Sequence, residues 1–185
     1  MSHERKGVAR SRLMVVSNRL PIRITEDTNG GRQVKASSGG LVTALQPVLG
    51  RRGGSWTGWA GVCGPPQEEI DALMAGVDLR FDLRAIPLTA DERDRYYLGF
   101  SNQVLWPLFH GFPAVMDFRR EDWDVYRAVN WKFAEHLSRG RSRDAFWIQD
   151  YHLILLGQAL RLQGYRQRLG FFLHTPFPPP EVFFQ

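Results

Sequence analysis

Side chains able to do chemistry stand in this sequence where apolar runs break off. The run FWIQ ends in Asp150 with His152 two residues on, and the run GFFL ends in His174. Polar groups at the ends of otherwise apolar runs are where chemistry is expected to sit. Near the amino end, RLMVVSNRLP sets Arg19 behind another apolar run; a solvated loop arginine is the plain reading, and its place beside the inferred crevice favours a site residue. Further on, Ser37, Ser38, Gly39 and Gly40 precede the helical pattern Leu41, Leu45, Val48, Leu49. The two glycines therefore open a helix, whose first amides can approach an anion such as a diphosphate. This Gly-Gly pair is neither a dinucleotide fingerprint nor a Walker loop, so a plain flexible N-cap accounts for it equally well. Tyr96, Tyr97 and Trp106 form an aromatic patch with Ser101 and Asn102 between them, a pattern that suits a packed core and a sugar platform alike.

The elements that must position these groups follow from the spacing. FWIQ and GFFL read as two fully buried strands, and HLILLGQALRLQGYRQR between them has helical spacing that stops at Gly164. Strand, helix, strand is a βαβ crossover and implies a parallel sheet, in which ligands bind beyond the carboxyl ends of the strands. Asp150 and His174 stand at two such ends. Leu13 to Ser17 reads as a first strand, so Arg19 stands at a third; Asn29-Gly30 marks a tight turn. SWTGWAGVCG and RFDLRAIPL read as further strands, with Trp56 and Trp59 as packing residues. Thr89 and Glu92 have capping-box spacing ahead of a helix over DERDRYY. REDWDVYRAVNWKFAEHLSRG is an amphipathic helix with Trp123, Tyr126, Val129, Phe133 and Leu137 on one face and its charges on a solvated one. His110 and His136 read as surface or capping groups, since no second ligand lies at metal spacing on a common face.

Composition limits the classes. At 185 residues with 43% hydrophobic content and six Trp, the chain suits one domain with a substantial core rather than disorder. No apolar run approaches a membrane span, and MSHERKGVARSR reads as a flexible basic arm over 1–12 rather than a signal peptide. The expected location is the cytoplasm. The one cysteine, Cys63, excludes an internal disulfide and reads as a core or loop residue. A net charge of +5 spread over 24 basic and 19 acidic residues forms no basic run, so it fits a cleft for small phosphorylated molecules rather than nucleic acid.

Six motifs in register, VVSNRLP, SSGGLVTALQPVL, GWAGV, YYLGFSNQVLWPLFH, FWIQDYHL and GFFLHTPFPPPEVF, closely resemble the amino-terminal half of the trehalose-6-phosphate synthase family. The resemblance runs from Leu13 to the last residue. It implies an α/β fold, a Rossmann-like parallel sheet with flanking helices, as the incomplete amino-terminal half of a two-domain GT-B glycosyltransferase. It also implies a retaining transfer of glucose from a nucleotide-diphosphate glucose, UDP-glucose above ADP- or GDP-glucose, to glucose 6-phosphate, with no metal or other cofactor. Residue by residue, the resemblance gives Arg19 to the acceptor phosphate, Tyr97 and Trp106 to the acceptor pocket, and Gly39 and Gly40 to the donor loop. Asp150 matches the aspartate that holds sugar hydroxyls at the reaction centre, and His174 the histidine on the transferred glucose. Trp106 and Thr175 stand where anomer selectivity is set; Thr175 replaces a residue that is often aliphatic in the family.

The family's second domain, which binds the donor nucleotide and diphosphate, has no counterpart in these residues, so 13–185 reads as a truncated acceptor-side domain of a homo-oligomer, inactive alone. Two other readings stand beside it: another nucleotide-sugar transferase with the same plan, and a non-catalytic module that binds a sugar phosphate. A dehydrogenase is disfavoured by the missing glycine fingerprint.

Overall fold

The computed structural model describes residues 11–137 and 144–183. The basic arm expected over 1–12 thus lies, apart from its last two residues, outside the described residues, as does the end of the amphipathic helix pattern beyond 137.

Strands β1 (Leu13–Arg19), β4 (Gly54–Trp59), β5 (Asp82–Ala85), β6 (Ala145–Gln149) and β7 (Arg168–Phe172) form one sheet in the order β5-β4-β1-β6-β7. Every neighbouring pair in it is parallel. The order reverses at β1: the chain builds outward through β4 and β5, then crosses back to β6 and β7. β1 and β6 therefore flank the switch point, where the crevice of such a sheet lies. β2 (Ile22–Glu26) and β3 (Arg32–Ala36) make a separate antiparallel hairpin. The Asn29-Gly30 turn belongs to its five-residue connection, in which the Asp27 carboxylate accepts from the amides of Asn29 and Gly31, both at 2.8 Å.

Alternation along β1 divides the core. Val15 joins Trp56, Leu45, Leu49, Ile70 and Met74, so the hairpin, α1 (Gly40–Arg52) and α2 (Gln67–Ala75) cover one face. Met14 and Val16 join Phe146 and Ile148 beneath the opposite layer. That layer is a continuous helical stretch, α3 (Ala90–Glu92), a π-helix (Arg93–Leu105) and α4 (Trp106–Phe109), together with α5 (Arg120–His136) and α6 (Leu156–Leu162). A last short helix, α7, spans Pro180–Phe183. The capping box at Thr89 and Glu92 forms as its spacing predicts, and the Glu92 carboxylate also takes the Lys132 ammonium at 2.8 Å, docking α3 onto α5.

Four expectations need correction. β7 is not a buried strand: Phe171 and Phe172 are adjacent, point to opposite faces, and are both about half exposed. Its apolar content is matched by no covering layer among the described residues. α5 is not uniformly solvated on its polar side, because Asp122 and Asn130 are buried: Arg95 pairs with Asp122 at 3.5 Å, and Asn130 bonds the carbonyls of Tyr126 and His152. The helix over DERDRYY continues as a π-helix rather than an α-helix. β1 runs on through Arg19 instead of stopping at Ser17. Helix α2 and the paired strands of the hairpin were not read from the sequence. Among the described residues no helix is long and apolar enough to cross a membrane.

Candidate functional site

The last turn of β1 decides where the cationic group goes. Val16 pairs with Thr57 and Arg19 with Trp59, so three steps on β1 match two on β4: one extra residue bulges out at Ser17-Asn18. Plain alternation would send Arg19 to the face of Val15 and Ser17. The bulge turns it to the other face, where its guanidinium lies 4.1 Å over the Trp59 ring and 5.4 Å from that of Tyr97. Ser17 pins the bulge by donating to the Arg19 carbonyl at 2.6 Å while accepting from the Trp56 indole at 2.8 Å. Gly58 makes room for it, since a methyl there would lie 2.8 Å from the Ser17 carbonyl oxygen and 2.9 Å from the Arg19 carbonyl carbon. The Trp59 indole is fixed by donating to the Val62 carbonyl at 2.7 Å. At Gly61, φ is +88°, a backbone that favours glycine, and a methyl there would lie 2.8 Å from Arg19 Nη1 and displace the guanidinium. Arg19 makes no ion pair with any described residue.

Asp150 ends β6 with φ at +71°, the one non-glycine residue at positive φ among those described. Its amide donates to the Phe172 carbonyl at 2.7 Å, and its Oδ1 accepts from the amides of Tyr151 (2.9 Å) and His174 (3.4 Å). The turn thereby fixes the carboxylate at the mouth of the crevice. Behind it His152 is buried, its ring 4.2 Å from that of Tyr151 and 5.7 Å from that of Tyr97. Burial lowers the His152 pKa to about 4, the Arg19 cation pushing the same way and the Asp150 carboxylate opposing, so the imidazole is neutral near pH 7. Burial likewise raises the Tyr151 hydroxyl to about 12.

These groups line one cleft of about 550 Å³ with the opening of α1. Gly39 caps α1 with no side-chain hydrogen bond, its first turn holds no acidic residue, and a methyl on Gly39 or Gly40 would meet nothing. Uncapped amides thus open onto the cleft that Arg19 also lines, a setting for an anion.

The structure brings together Arg19, Tyr97, Asp150, Gly39 and Gly40. His174 stands beside them: its exposed ring bonds the buried Gln149 Oε1 through Nε2 at 3.1 Å without lining the cleft. Trp106 does not line it either; it is 42% exposed and stacked on His110 at 4.3 Å. The Thr175 hydroxyl is buried with no hydrogen-bond partner among the described residues. Sequence reasoning missed Gln149 and the platform role of Trp59, and noted His152 only as a polar terminus. Gln149 carried a signal, a polar residue at an inward position of a buried strand; Trp59 carried none, because its platform depends on a bulge in another strand.

Residues 11–185 match the model of Glycosyltransferase family 20. The chain belongs to glycosyltransferase family 20. Among the relatives of this family-20 chain, the trehalose-6-phosphate synthase of Mycolicibacterium smegmatis is 45% identical over 176 residues, 95% of this chain and 34% of that protein. A solved UDP-forming alpha,alpha-trehalose-phosphate synthase from Burkholderia xenovorans, in complex with glucose-6-phosphate, superposes with a TM-score of 0.75 at 34% identity, covering 94% of this chain and 36% of that one. A solved E. coli homologue bound with UDP-2-fluoro glucose gives a TM-score of 0.75 at 36% identity, covering 94% and 35%. The chain spans about a third of the length of these relatives.

Proposed function

We propose that this chain forms the acceptor-side wall of a retaining glucosyltransferase that makes trehalose 6-phosphate from UDP-glucose and glucose 6-phosphate in the cytoplasm, the whole protein working as a homo-oligomer. The observation that carries the reading is Arg19: a guanidinium without a carboxylate partner among the described residues, held on two aromatic rings beside the Asp150 carboxylate. A phosphate anchor and a hydroxyl acceptor thus line one cleft. Family membership, and relatives that are UDP-forming or bound to glucose-6-phosphate, support the substrate pair.

In this reading Arg19 holds the acceptor phosphate, with Tyr97 against the sugar. The acceptor's anomeric hydroxyl attacks the donor's anomeric carbon from the face that UDP leaves. The new C–O bond forms as the bond to the diphosphate breaks, and the leaving phosphate oxygen takes the hydroxyl proton. Asp150 and His174 orient hydroxyls and stabilise the positive charge that grows on the glucosyl ring, while the α1 amides at Gly39 and Gly40 accommodate the donor's negative end. Trp106 and Thr175 bear on which anomer is accepted. No step needs a metal or a pair of carboxylates, which is how this site differs from a glycosidase. ADP- and GDP-glucose are the competing donors.

The test is to incubate the intact protein with UDP-glucose and glucose 6-phosphate and follow UDP release together with the disaccharide phosphate. Equimolar formation of both is expected. UDP release without disaccharide, or binding of glucose 6-phosphate without turnover, would contradict the reading and favour the non-catalytic module.

A further inference from the structure

The same bulge that turns Arg19 leaves its neighbour Asn18 with nothing to bind. Asn18 is 7% exposed and lines the cleft, its Oδ1 is buried without a partner, and its side chain makes no hydrogen bond to any described residue. A buried carboxamide normally uses several of its four hydrogen-bonding positions. Asn130, more deeply buried, also leaves its Oδ1 without a partner among the described residues, but it spends its amide group on two carbonyls at 3.0 and 3.1 Å. Asn18 therefore makes no internal bond that would explain its presence. Its position says what it faces: it lines the same cleft as Arg19, Tyr97 and Asp150.

On the function proposed above, we infer that Asn18 is a further acceptor-binding residue, its carboxamide holding a ring hydroxyl of the hexose 6-phosphate between the phosphate at Arg19 and the anomeric end at Asp150. A carboxamide donates and accepts, as a hydroxyl does, so one amide can satisfy one hydroxyl or two vicinal ones. Phosphate suits it poorly, because the amide oxygen would face oxygens that only accept. The group is neutral and so does not compete with Asp150 for the Arg19 cation. A site built to bond a hydroxyl leaves its carboxamide unpaired against an analogue that lacks it, which gives discrimination for a hydroxyl over its absence.

The test uses the intact protein, wild type and Asn18→Ala, with calorimetric titration of glucose 6-phosphate, its 2-, 3- and 4-deoxy analogues and inorganic phosphate, and a thermal melt without ligand. The expected result has three parts. The melting temperature of Asn18→Ala stays level or rises, since an unpaired buried amide has been removed. Affinity for glucose 6-phosphate falls about tenfold while that for inorganic phosphate is unchanged. One deoxy analogue, which binds the wild type about tenfold more weakly than the parent, binds the variant no more weakly than the parent does. The inference is overturned by unchanged glucose 6-phosphate affinity, by equal losses for sugar phosphate and phosphate, or by a lowered melting temperature with every deoxy penalty intact. Should Asn18→Ala not fold, Asn18→Ser decides by the same deoxy comparison. Failure of the wild type to bind glucose 6-phosphate at all would instead overturn the proposed function, and this inference with it.

Discussion

Strands β6 and β7 are near twins in sequence and opposites in environment. AFWIQ and RLGFF are each short, aromatic and apolar, and each leads to a polar residue at its carboxyl end. In β6, Phe146 and Ile148 are buried between β1 and the helical layer, whereas Phe171 and Phe172 of β7 are half exposed. The chemistry at the two ends differs in the same way. Asp150 is clamped by three backbone amide hydrogen bonds around a strained turn, while His174 is exposed and held through the Gln149 side chain. A central strand can fix its terminal side chain because neighbours on both sides and both faces fix the strand. An edge strand cannot do so to the same degree.

The largest expected contrast is in stability. Phe146→Ala empties a site packed against Tyr165 and should cost about 3–5 kcal/mol. Phe172→Ala should cost less than about 1 kcal/mol, because half of its surface is already in water. Urea denaturation of both variants checks this; equal losses would mean that β7 is covered as β6 is.

That contrast also marks what was legible in the sequence. Strand, helix, strand with a parallel pair was readable because period and punctuation are local properties, and so was the opening of α1 at Gly39-Gly40. The burial of β7 was not, since an apolar run reports only that burial would be favourable, while the covering layer comes from elsewhere in the chain. Arg19 and Asp150 could be placed at strand ends by where apolar runs stop. The bulge that turns Arg19 onto Trp59 could not, because it depends on Gly58 in another strand. Asp122 illustrates the same limit on α5: charge and helical phase suggested solvent, and the π-helix packed over it supplied a partner, Arg95, instead.

A matched pair of glycines sharpens the comparison at the next scale. Gly58→Ala pushes a methyl into the backbone of the β1 bulge and should destabilise by about 1–3 kcal/mol, with a parallel loss of glucose 6-phosphate affinity as Arg19 is re-aimed. Gly170→Ala in β7 meets Trp147 Cδ1 at 3.5 Å and the Phe146 carbonyl oxygen at 3.9 Å, both ordinary contacts, and should change stability by less than about 0.5 kcal/mol with no effect on affinity. Melting and titration of the two variants side by side decide it; a silent Gly58→Ala would remove the bulge from the account of Arg19.

The smallest effect lies in the pH dependence of stability. His152 has its folded pKa lowered to about 4, below the unfolded value of 6.5, so the unfolded chain binds the extra proton first. Its contribution is whole above about pH 6.5 and is lost as pH falls toward 4. His152→Phe, which keeps an aromatic ring between Tyr97 and Tyr151, should therefore show a shallower fall in melting temperature from pH 7 to pH 4.5 than the wild type. Identical slopes would mean that His152 does not titrate in that window.

The central claim is that the cleft at the β1–β6 switch point anchors a sugar phosphate through Arg19, and steady-state kinetics of Arg19→Ala in the intact protein test it most directly. A charge-assisted phosphate contact is worth roughly 1.5–3 kcal/mol, so the KM for glucose 6-phosphate should rise about ten- to a hundredfold while the KM for UDP-glucose stays within about twofold. An unchanged acceptor KM, or equal losses for both substrates, would contradict it.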